Sequence, residues 1–277
     1  ESIFTVGNGL LGVRGSFSEH TSIYSSGSFI NGFYENIPIT YGEWAYGFPL
    51  QKQQMIPVPN AVEISFSVDN APFNLEKKKI LSYHRELNMK SGILSRTVTW
   101  QSPGGSVITL KTLRMVPLIA KAAVLFHWSV EANRNVQIKV NSCVNLYEEK
   151  TTPDTLDPRT TDTLYKEYIL PHRHEWDNDT GILSFRTRNS GNEVLCACLH
   201  SIPEYDLTAH TRDAAPHKLT ESFTCTLQKN RPFELTKLAA YAVSEKAESY
   251  EDTRIKDSAW AVLADLKRKN IDHFRHV

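Results

Sequence analysis

Apolar and polar residues alternate with a period of two along several segments of the chain. In residues 61–68, four apolar side chains beginning at Val62 and ending at Val68 alternate with polar ones. Successive side chains of a strand point to opposite faces, so this pattern predicts a half-buried strand. By the same criterion and by β-forming composition, further strands are predicted at residues 94–100, 108–110, 136–146, 164–170, 181–187, 194–200, 222–227 and 233–243.

One segment departs from the alternation because it is almost continuously apolar. Residues 122–128 read AAVLFHW. A short apolar run of this kind is typical of a strand that is covered on both faces. The sequence therefore predicts two layers packed against this strand.

The number and order of the predicted strands indicate the fold class. About a dozen strands follow one another without alternating helices, which argues against a parallel βαβ architecture. A hairpin turn is predicted at Pro103, Gly104 and Gly105. The sequence therefore predicts a mainly β protein built as a large antiparallel β-sandwich.

The carboxyl-terminal segment differs from the rest of the chain. Residues 247–277 are charged, contain no Gly or Pro, and carry Trp260, Leu263 and Leu266 at helical spacing. We expect an amphipathic helix whose apolar stripe packs either on the sandwich or on a domain beyond Val277. The predicted organisation is a β domain over residues 1–246 and a helical segment over 247–277, with an exposed loop at 151–163.

Composition and charge exclude several classes of function. The 277 residues contain 31 Lys and Arg and 31 Asp and Glu, so no strong field favours nucleic acid or an anionic membrane. No apolar run approaches the ~20 residues of a membrane span, and no basic leader segment precedes one. The four cysteines are expected to be reduced core residues, and we expect a cytoplasmic protein.

Three motifs suggest chemistry that their surroundings do not support. Residues 7–12 match G-x-G-x-x-G, but the following residues are unsuited to open a helix, so tight strand turns are expected instead, with Arg14 as a buried pairing residue. Glu35 and Glu43 form a conceivable carboxylate pair, but solvated surface positions are the preferred interpretation. Two histidines at 172 and 174 lack a third spaced ligand, so no metal and no cofactor are expected.

The order of several longer motifs resembles a known family. Residues 1–15 read ESIFTVGNGLLGVRG and residues 29–35 read FINGFYE; YGEWAYGFP at 41–49, QMIPVPN at 54–60, LSYHRELNMKSGILSR at 81–96 and LRMVP at 113–117 follow. This series resembles the opening of glycoside hydrolase family 65, which includes maltose, trehalose and kojibiose phosphorylases. The resemblance covers about the first half of the chain.

The resemblance implies a super-sandwich of the galactose mutarotase-like kind, followed by a helical linker and an (α/α)6 barrel that carries the catalysis. In that family phosphate or water attacks the anomeric carbon with inversion, assisted by a Glu general acid. No counterpart of that Glu is identified in this chain. The implied function is a non-catalytic domain of an α-glucosyl disaccharide phosphorylase or hydrolase, with its own catalytic domain as partner, inorganic phosphate as the co-substrate of a phosphorylase, and a possible homodimer.

The family resemblance also suggests that a loop of the sandwich lines the active site or the dimer interface. Trp44, Tyr46 and Phe48 are the candidate residues, because aromatic side chains in a loop can stack on sugar rings. The alternative interpretation is that they fill the sandwich edge or pack on the barrel.

Two other classes of function remain as alternatives. A free-standing sugar epimerase of the mutarotase type needs a general acid and a general base, commonly a His and a Glu. The available histidines are His84, His127, His172 and His174, none within a recognisable motif. A carbohydrate-binding module would instead present exposed aromatic residues without acid–base chemistry.

Overall fold

The chain folds into two large antiparallel sheets with one helix on the outside. The computed structural model describes residues 2–19, 27–75, 79–146, 165–203, 205–244 and 253–268. The elements are β1 Val6–Gly7, β2 Leu11–Val13, β3 Ser28–Ile30, β4 Tyr34–Pro38, β5 Gln51–Met55, β6 Asn60–Val68, β7 Ala71–Pro72, β8 Lys79–Asn88, β9 Ile93–Gln101, β10 Val107–Met115, β11 Ala123–Ala132, β12 Val136–Asn145, β13 Ile169–Asp177, β14 Thr180–Thr187, β15 Glu193–Ser201, β16 Leu207–Ala215, β17 Lys218–Leu227, β18 Phe233–Ser244 and α1 Thr253–Arg268.

The topology confirms the predicted antiparallel β-sandwich. One sheet has eight strands in the order β13-β14-β15-β18-β11-β10-β9-β8, and the second has five in the order β16-β17-β12-β6-β7. Two small sheets, β1-β2-β3 and β4-β5, complete the architecture. The predicted strands at 61–68, 94–100, 108–110, 136–146, 181–187, 194–200, 222–227 and 233–243 are all observed, within a few residues at most ends.

Aromatic side chains fill the space between the two large sheets. Phe66 of β6 contacts Trp128 of β11 edge to face at 5.2 Å between ring centroids, and Phe73 lies 5.2 Å from Trp100. Both tryptophans are fully buried. Pairs of this geometry add to the free energy gained from burying their area, so this cluster is a main source of the sandwich's stability.

Strand β11 is buried on both faces, as its continuous apolar sequence predicted. Val124 and Phe126 belong to the core between the sheets, whereas Ala123 and Leu125 belong to a second apolar cluster on the outer face of the eight-stranded sheet. This outer cluster also contains the buried residues of helix α1.

Helix α1 docks on the sandwich with one apolar stripe. Ile255, Ala259, Leu263 and Leu266 are buried in the outer cluster, at positions that fall on one side of a helix. The helix contacts β15 and β18, and Lys256 donates a hydrogen bond of 2.8 Å to Asp177. Of the two partners considered for the stripe, the sandwich is the one that the structure shows.

Prediction from periodicity was wrong or incomplete mainly at sheet edges. The predicted strand at 164–170 begins only at Ile169, and residues Tyr165–Glu167 form a 3-10 turn. Periodicity predicted neither the short strands β1 to β5 and β7 nor the longer strands β8 and β16. Strands β8, β13 and β16 each lie at the edge of a sheet. Many of their side chains are exposed, so apolar alternation is weak there. The predicted loop at 151–163 and the domain boundary at 246 lie outside the described residues.

No helix within the described residues has the length and apolar character to cross a membrane.

We expect the substitution Leu263→Ala to lower the free energy of unfolding by about 2–4 kcal/mol, because it removes buried methyl groups between α1 and the sheet. The control is Lys267→Ala, an exposed position one turn later in the same helix. Urea unfolding followed by circular dichroism measures both. Equal stabilities of the two variants would show that the helix does not depend on this contact.

Candidate functional site

The predicted aromatic loop is the connection of a two-stranded hairpin. Strands β4 and β5 pair from Tyr34 opposite Met55 to Pro38 opposite Gln51, and residues 39–50 connect them. At this tip the exposed fractions of the apolar side chains are 67% for Trp44, 97% for Tyr46, 43% for Phe48 and 66% for Leu50. Isolated exposed apolar residues are common, whereas here four lie on one connection.

The tip has internal order although its surface is exposed. Tyr41 donates a hydrogen bond of 3.0 Å to the Pro49 carbonyl, and its ring lies 4.9 Å from that of Phe48. Gly47 has a φ of +89°, a conformation that favours glycine and tightens the turn before Phe48. Phe48 is therefore partly used within the loop, whereas Trp44 and Tyr46 present the larger aromatic surface.

A buried carboxylate holds the base of this hairpin. Glu35 of β4 accepts hydrogen bonds from the backbone amides of Asn189 and Ser190, both at 2.8 Å, and from the Ser190 hydroxyl at 2.6 Å. Its own neighbour Asn36 donates a further bond of 2.7 Å. The expectation that Glu35 is a solvated surface residue is therefore wrong, because the β14–β15 turn supplies the donors that replace water.

The two glutamates considered as a catalytic pair have different environments. Glu35 is fully buried within the hairpin base, whereas Glu43 is exposed at the tip. The donors of the four hydrogen bonds to Glu35 are the Asn36 amide of the hairpin and, in the β14–β15 turn, the amides of Asn189 and Ser190 and the Ser190 hydroxyl. These contacts support a structural role for Glu35.

The four histidines considered for epimerase chemistry lie on three different strands. His84 is exposed beside Glu86, and His127 contacts the Thr236 hydroxyl at 3.1 Å. His172 contacts Glu193 at 2.7 Å, and His174 is exposed on the same strand. The structure does not bring these four histidines together around one site.

A different His–Glu pair, which the sequence pattern did not indicate, lies inside the sandwich. His200 Nδ1 is 2.5 Å from Glu221 Oε2, and His200 Nε2 is 2.8 Å from the Ser142 hydroxyl. His210 and Arg212 donate to the other carboxylate oxygen at 2.7 and 2.9 Å. The partners come from strands β12, β15, β16 and β17, so no local spacing could have identified them.

The electrostatics of this network favour a neutral histidine and an ionised glutamate. Burial lowers the pKa of His200 below its usual value despite the hydrogen bond to Glu221, which favours the charged form. Burial alone would raise the pKa of Glu221, but the hydrogen bonds from His200, His210 and Arg212 outweigh it and lower the pKa to about 2. His200 therefore donates from Nδ1 and accepts from Ser142.

The Ser–His–Glu order resembles that of a nucleophilic triad, but its burial favours a structural role. The side chains of His200 and Glu221 are 4% and 2% exposed, and Ser142 is also buried. Lys237, directly opposite His200 on β18, is buried as well and donates to the Cys143 carbonyl at 2.6 Å. These atoms have no exposed surface that a sugar could reach for a reaction.

The remaining motifs have structural explanations. The glycine-rich stretch forms the β1–β2 turn, with Gly9 at a φ of +87° and the Asn8 side chain accepting from the Leu10 and Leu11 amides. All four cysteines are buried and unpaired, as expected of core residues. Within the described ranges, no three His, Cys, Asp or Glu side chains are grouped to hold a metal ion.

Comparison with known proteins supports the resemblance found in the motifs. A family described as "Glycosyl hydrolase family 65, N-terminal domain" matches residues 1–275. An uncharacterized glycosyl hydrolase of Mycobacterium tuberculosis is 28% identical over 99% of this chain and 36% of its own length. The alpha,alpha-trehalose phosphorylase of Thermoanaerobacter brockii is 43% identical over 43% of this chain and 16% of its own length.

A solved structure shares the fold over nearly the whole chain. It comes from the human microbiome and carries the provisional name kojibiose phosphorylase; its TM-score is 0.82 at 18% identity. The match covers 99% of this chain and 34% of that one. This chain therefore spans about a third of the length of the proteins that it matches from end to end.

We expect Glu35→Ala to lower the free energy of unfolding by about 2 kcal/mol, because it leaves the part-buried Asn189 and Ser190 amides without their acceptor. Glu43→Ala removes the same group from an exposed position and should change stability by less than about 0.5 kcal/mol. Chemical denaturation of both variants provides the comparison. Similar losses would contradict the role assigned to Glu35.

The low pKa of Glu221 predicts a loss of stability in acid. Its folded pKa of about 2 lies below the ordinary value of 4.5, so between pH 4.5 and 2 the unfolded chain binds more protons. Its contribution, of the order of 2 kcal/mol, is complete above pH 4.5 and is lost as the pH falls towards 2. Denaturation of Glu221→Gln and the unsubstituted protein at several pH values should show their difference shrinking over this window, and a constant difference would refute the assignment.

Proposed function

We propose that this chain, which belongs to glycosyl hydrolase family 65 as its N-terminal domain, is the non-catalytic part of an α-glucosyl disaccharide phosphorylase or hydrolase. Catalysis would take place in a carboxyl-terminal (α/α)6 domain, with inversion at the anomeric carbon. Inorganic phosphate would be the co-substrate if the enzyme is a phosphorylase, the activity named for the Thermoanaerobacter brockii relative. The enzyme would act in the cytoplasm, where the four thiols of this chain would stay reduced.

The observation that carries the proposal for this domain is the exposed aromatic tip on a firmly held base. Trp44 and Tyr46 offer apolar ring faces to a partner surface or to a sugar ring. The hydrogen bonds that Glu35 accepts at the base limit the freedom of the hairpin, so little conformational entropy is lost when the tip docks. We assign the tip to the wall of the active site.

Contact of the tip with a second copy of the chain is the other role consistent with this surface. A dimer contact and an active-site wall both need exposed aromatic residues, and they differ in what their removal changes. Loss of a dimer contact changes the oligomeric state, whereas loss of a wall changes substrate binding.

The two alternative functions have less support from the described residues. Epimerase chemistry needs a His and a Glu that reach a sugar, and the His200–Glu221 pair is closed inside the sandwich. A carbohydrate-binding module would use the aromatic tip by itself, without a catalytic domain. Binding of maltose, trehalose or glucose to the chain of residues 1–277, measured by isothermal titration, would favour that module.

The helix connects the two proposed parts of the enzyme. Helix α1 follows the last strand of the sandwich and packs on the outer face of its larger sheet. We assign residues 247–277 to the linker that leads from the β domain towards the catalytic domain.

We expect the chain of residues 1–277 to cleave no α-glucosyl disaccharide, with phosphate or with water as acceptor, while the full-length protein cleaves one of them. The measurement is the release of glucose and glucose 1-phosphate from a panel that includes maltose, trehalose and kojibiose. Turnover by residues 1–277 alone would overturn the non-catalytic assignment.

We expect Tyr46→Ala in the full-length enzyme to lower kcat/KM for the disaccharide about tenfold, mainly through KM, because it removes a stacking surface. Met89→Ala is the matched control, since Met89 is 89% exposed on a different turn of the molecule. Light scattering records the oligomeric state of both variants. Dissociation of a dimer would assign the tip to the dimer interface, and unchanged kinetics with unchanged assembly would refute both roles.

A further inference from the structure

Three arginines stand side by side on the inner face of the eight-stranded sheet. Arg85 of β8 lies directly opposite Arg96 of β9, and Arg114 of β10 is a diagonal neighbour of Arg96 on the same face. Arg96 occupies a position in β9 whose alternate neighbours, Leu94 and Val98, belong to the core. The cluster therefore lies where apolar side chains would be expected.

The arginines bind the N-terminal segment of residues 14–19 through backbone carbonyls and the Glu19 carboxylate. Arg114 donates to the carbonyls of Arg14 and Ser16 at 2.7 and 3.1 Å, and Arg85 donates to the Gly15 carbonyl. Arg96 donates to both carboxylate oxygens of Glu19 at 2.7 and 2.8 Å. Arg96 and Arg114 are buried pairing residues of the kind that the sequence suggested for Arg14, which is itself half-buried.

Among the described residues, the buried guanidinium groups of Arg96 and Arg114 lie close to one buried carboxylate, that of Glu19. Burial first, and then the charges of Arg96 and Arg85, lower the pKa of Arg114 to about 9, and Glu19 acts in the opposite direction. Glu19 forms its ion pair with Arg96, at 2.7 Å.

Within the residues that the structure describes, three polar atoms of this cluster are buried without a hydrogen-bond partner. They are Arg96 Nη1, Arg114 Nε and the Ser16 hydroxyl oxygen. The exposed fractions of the three residues are 5%, 4% and 4%. Unmade hydrogen bonds of buried charged groups are costly, so donors of this kind normally have an acceptor.

We propose that Arg96, Arg114 and Ser16 hold a small inorganic anion, phosphate or chloride, beneath the N-terminal segment. One anion would provide the acceptor that the three donors need. Guanidinium groups suit this role because they stay charged and direct several N–H donors in one plane.

The first test measures stabilisation by anions in the full chain. After dialysis into sodium gluconate, chloride or phosphate is added at constant ionic strength while Tm is recorded. We expect Tm to rise along a saturating curve, as for any ligand bound by the folded state alone, and the more effective anion identifies the occupant. The same linear rise with both anions would indicate a general salt effect and would overturn the proposal.

Two serine variants make this test specific. Ser16→Ala removes one donor and should raise the half-saturating anion concentration about tenfold, because a hydrogen bond to a charged partner is lost. Ser102→Ala is the control, since Ser102 is buried at the far end of β9 and accepts from the Ser106 amide. It should lose stability without a change in the half-saturating concentration. Identical anion responses of the two variants would refute the site.

A crystal structure of the unsubstituted protein locates the anion directly. Crystals soaked in bromide should give an anomalous peak within hydrogen-bond distance of Arg96 Nη1 and Arg114 Nε, and crystals soaked in phosphate should give tetrahedral density if phosphate is the occupant. Water at this position under both conditions would overturn the proposal.

Discussion

The structure depends on the burial of both faces of the central strands β11, β15 and β18. Their inner faces pack on the five-stranded sheet, and their outer faces belong to an apolar cluster that includes the buried stripe of α1, which contacts β15 and β18. Because side chains alternate along a strand, double burial requires apolar residues at nearly every position, as in Ala123–Phe126. The helix is therefore an integral layer of the fold, even though it would also serve as the link to a following domain.

This sandwich tolerates several buried carboxylates because each one receives a full set of donors. Glu35 is bound by amides of a neighbouring turn, Glu221 by two histidines and an arginine, and Glu19 by Arg96. Buried charges without partners would cost several kcal/mol each. The donors come from distant parts of the chain, so these groups fix how the loops and sheets meet.

Solvent access separates the groups that can contact a ligand from the groups that only support the fold. The Ser142–His200–Glu221 network has the atoms of a reactive site but no access, whereas Trp44 and Tyr46 have access and no reactive atoms. In the arginine cluster, polar atoms without partners among the described residues suggest a ligand. No sequence motif provides this physical sign.

The sequence by itself determined the features that depend on local order. Alternation predicted most of the strands, the apolar run at 122–128 predicted a doubly covered strand, and motif order indicated the family that the comparisons show. It also singled out the exposed aromatic connection. Only the tertiary structure decided the edge strands, the burial of Glu35 and the partners of His200. The physical reason is distance along the chain: Glu35 meets Ser190 across 155 positions, and no local period records such a contact.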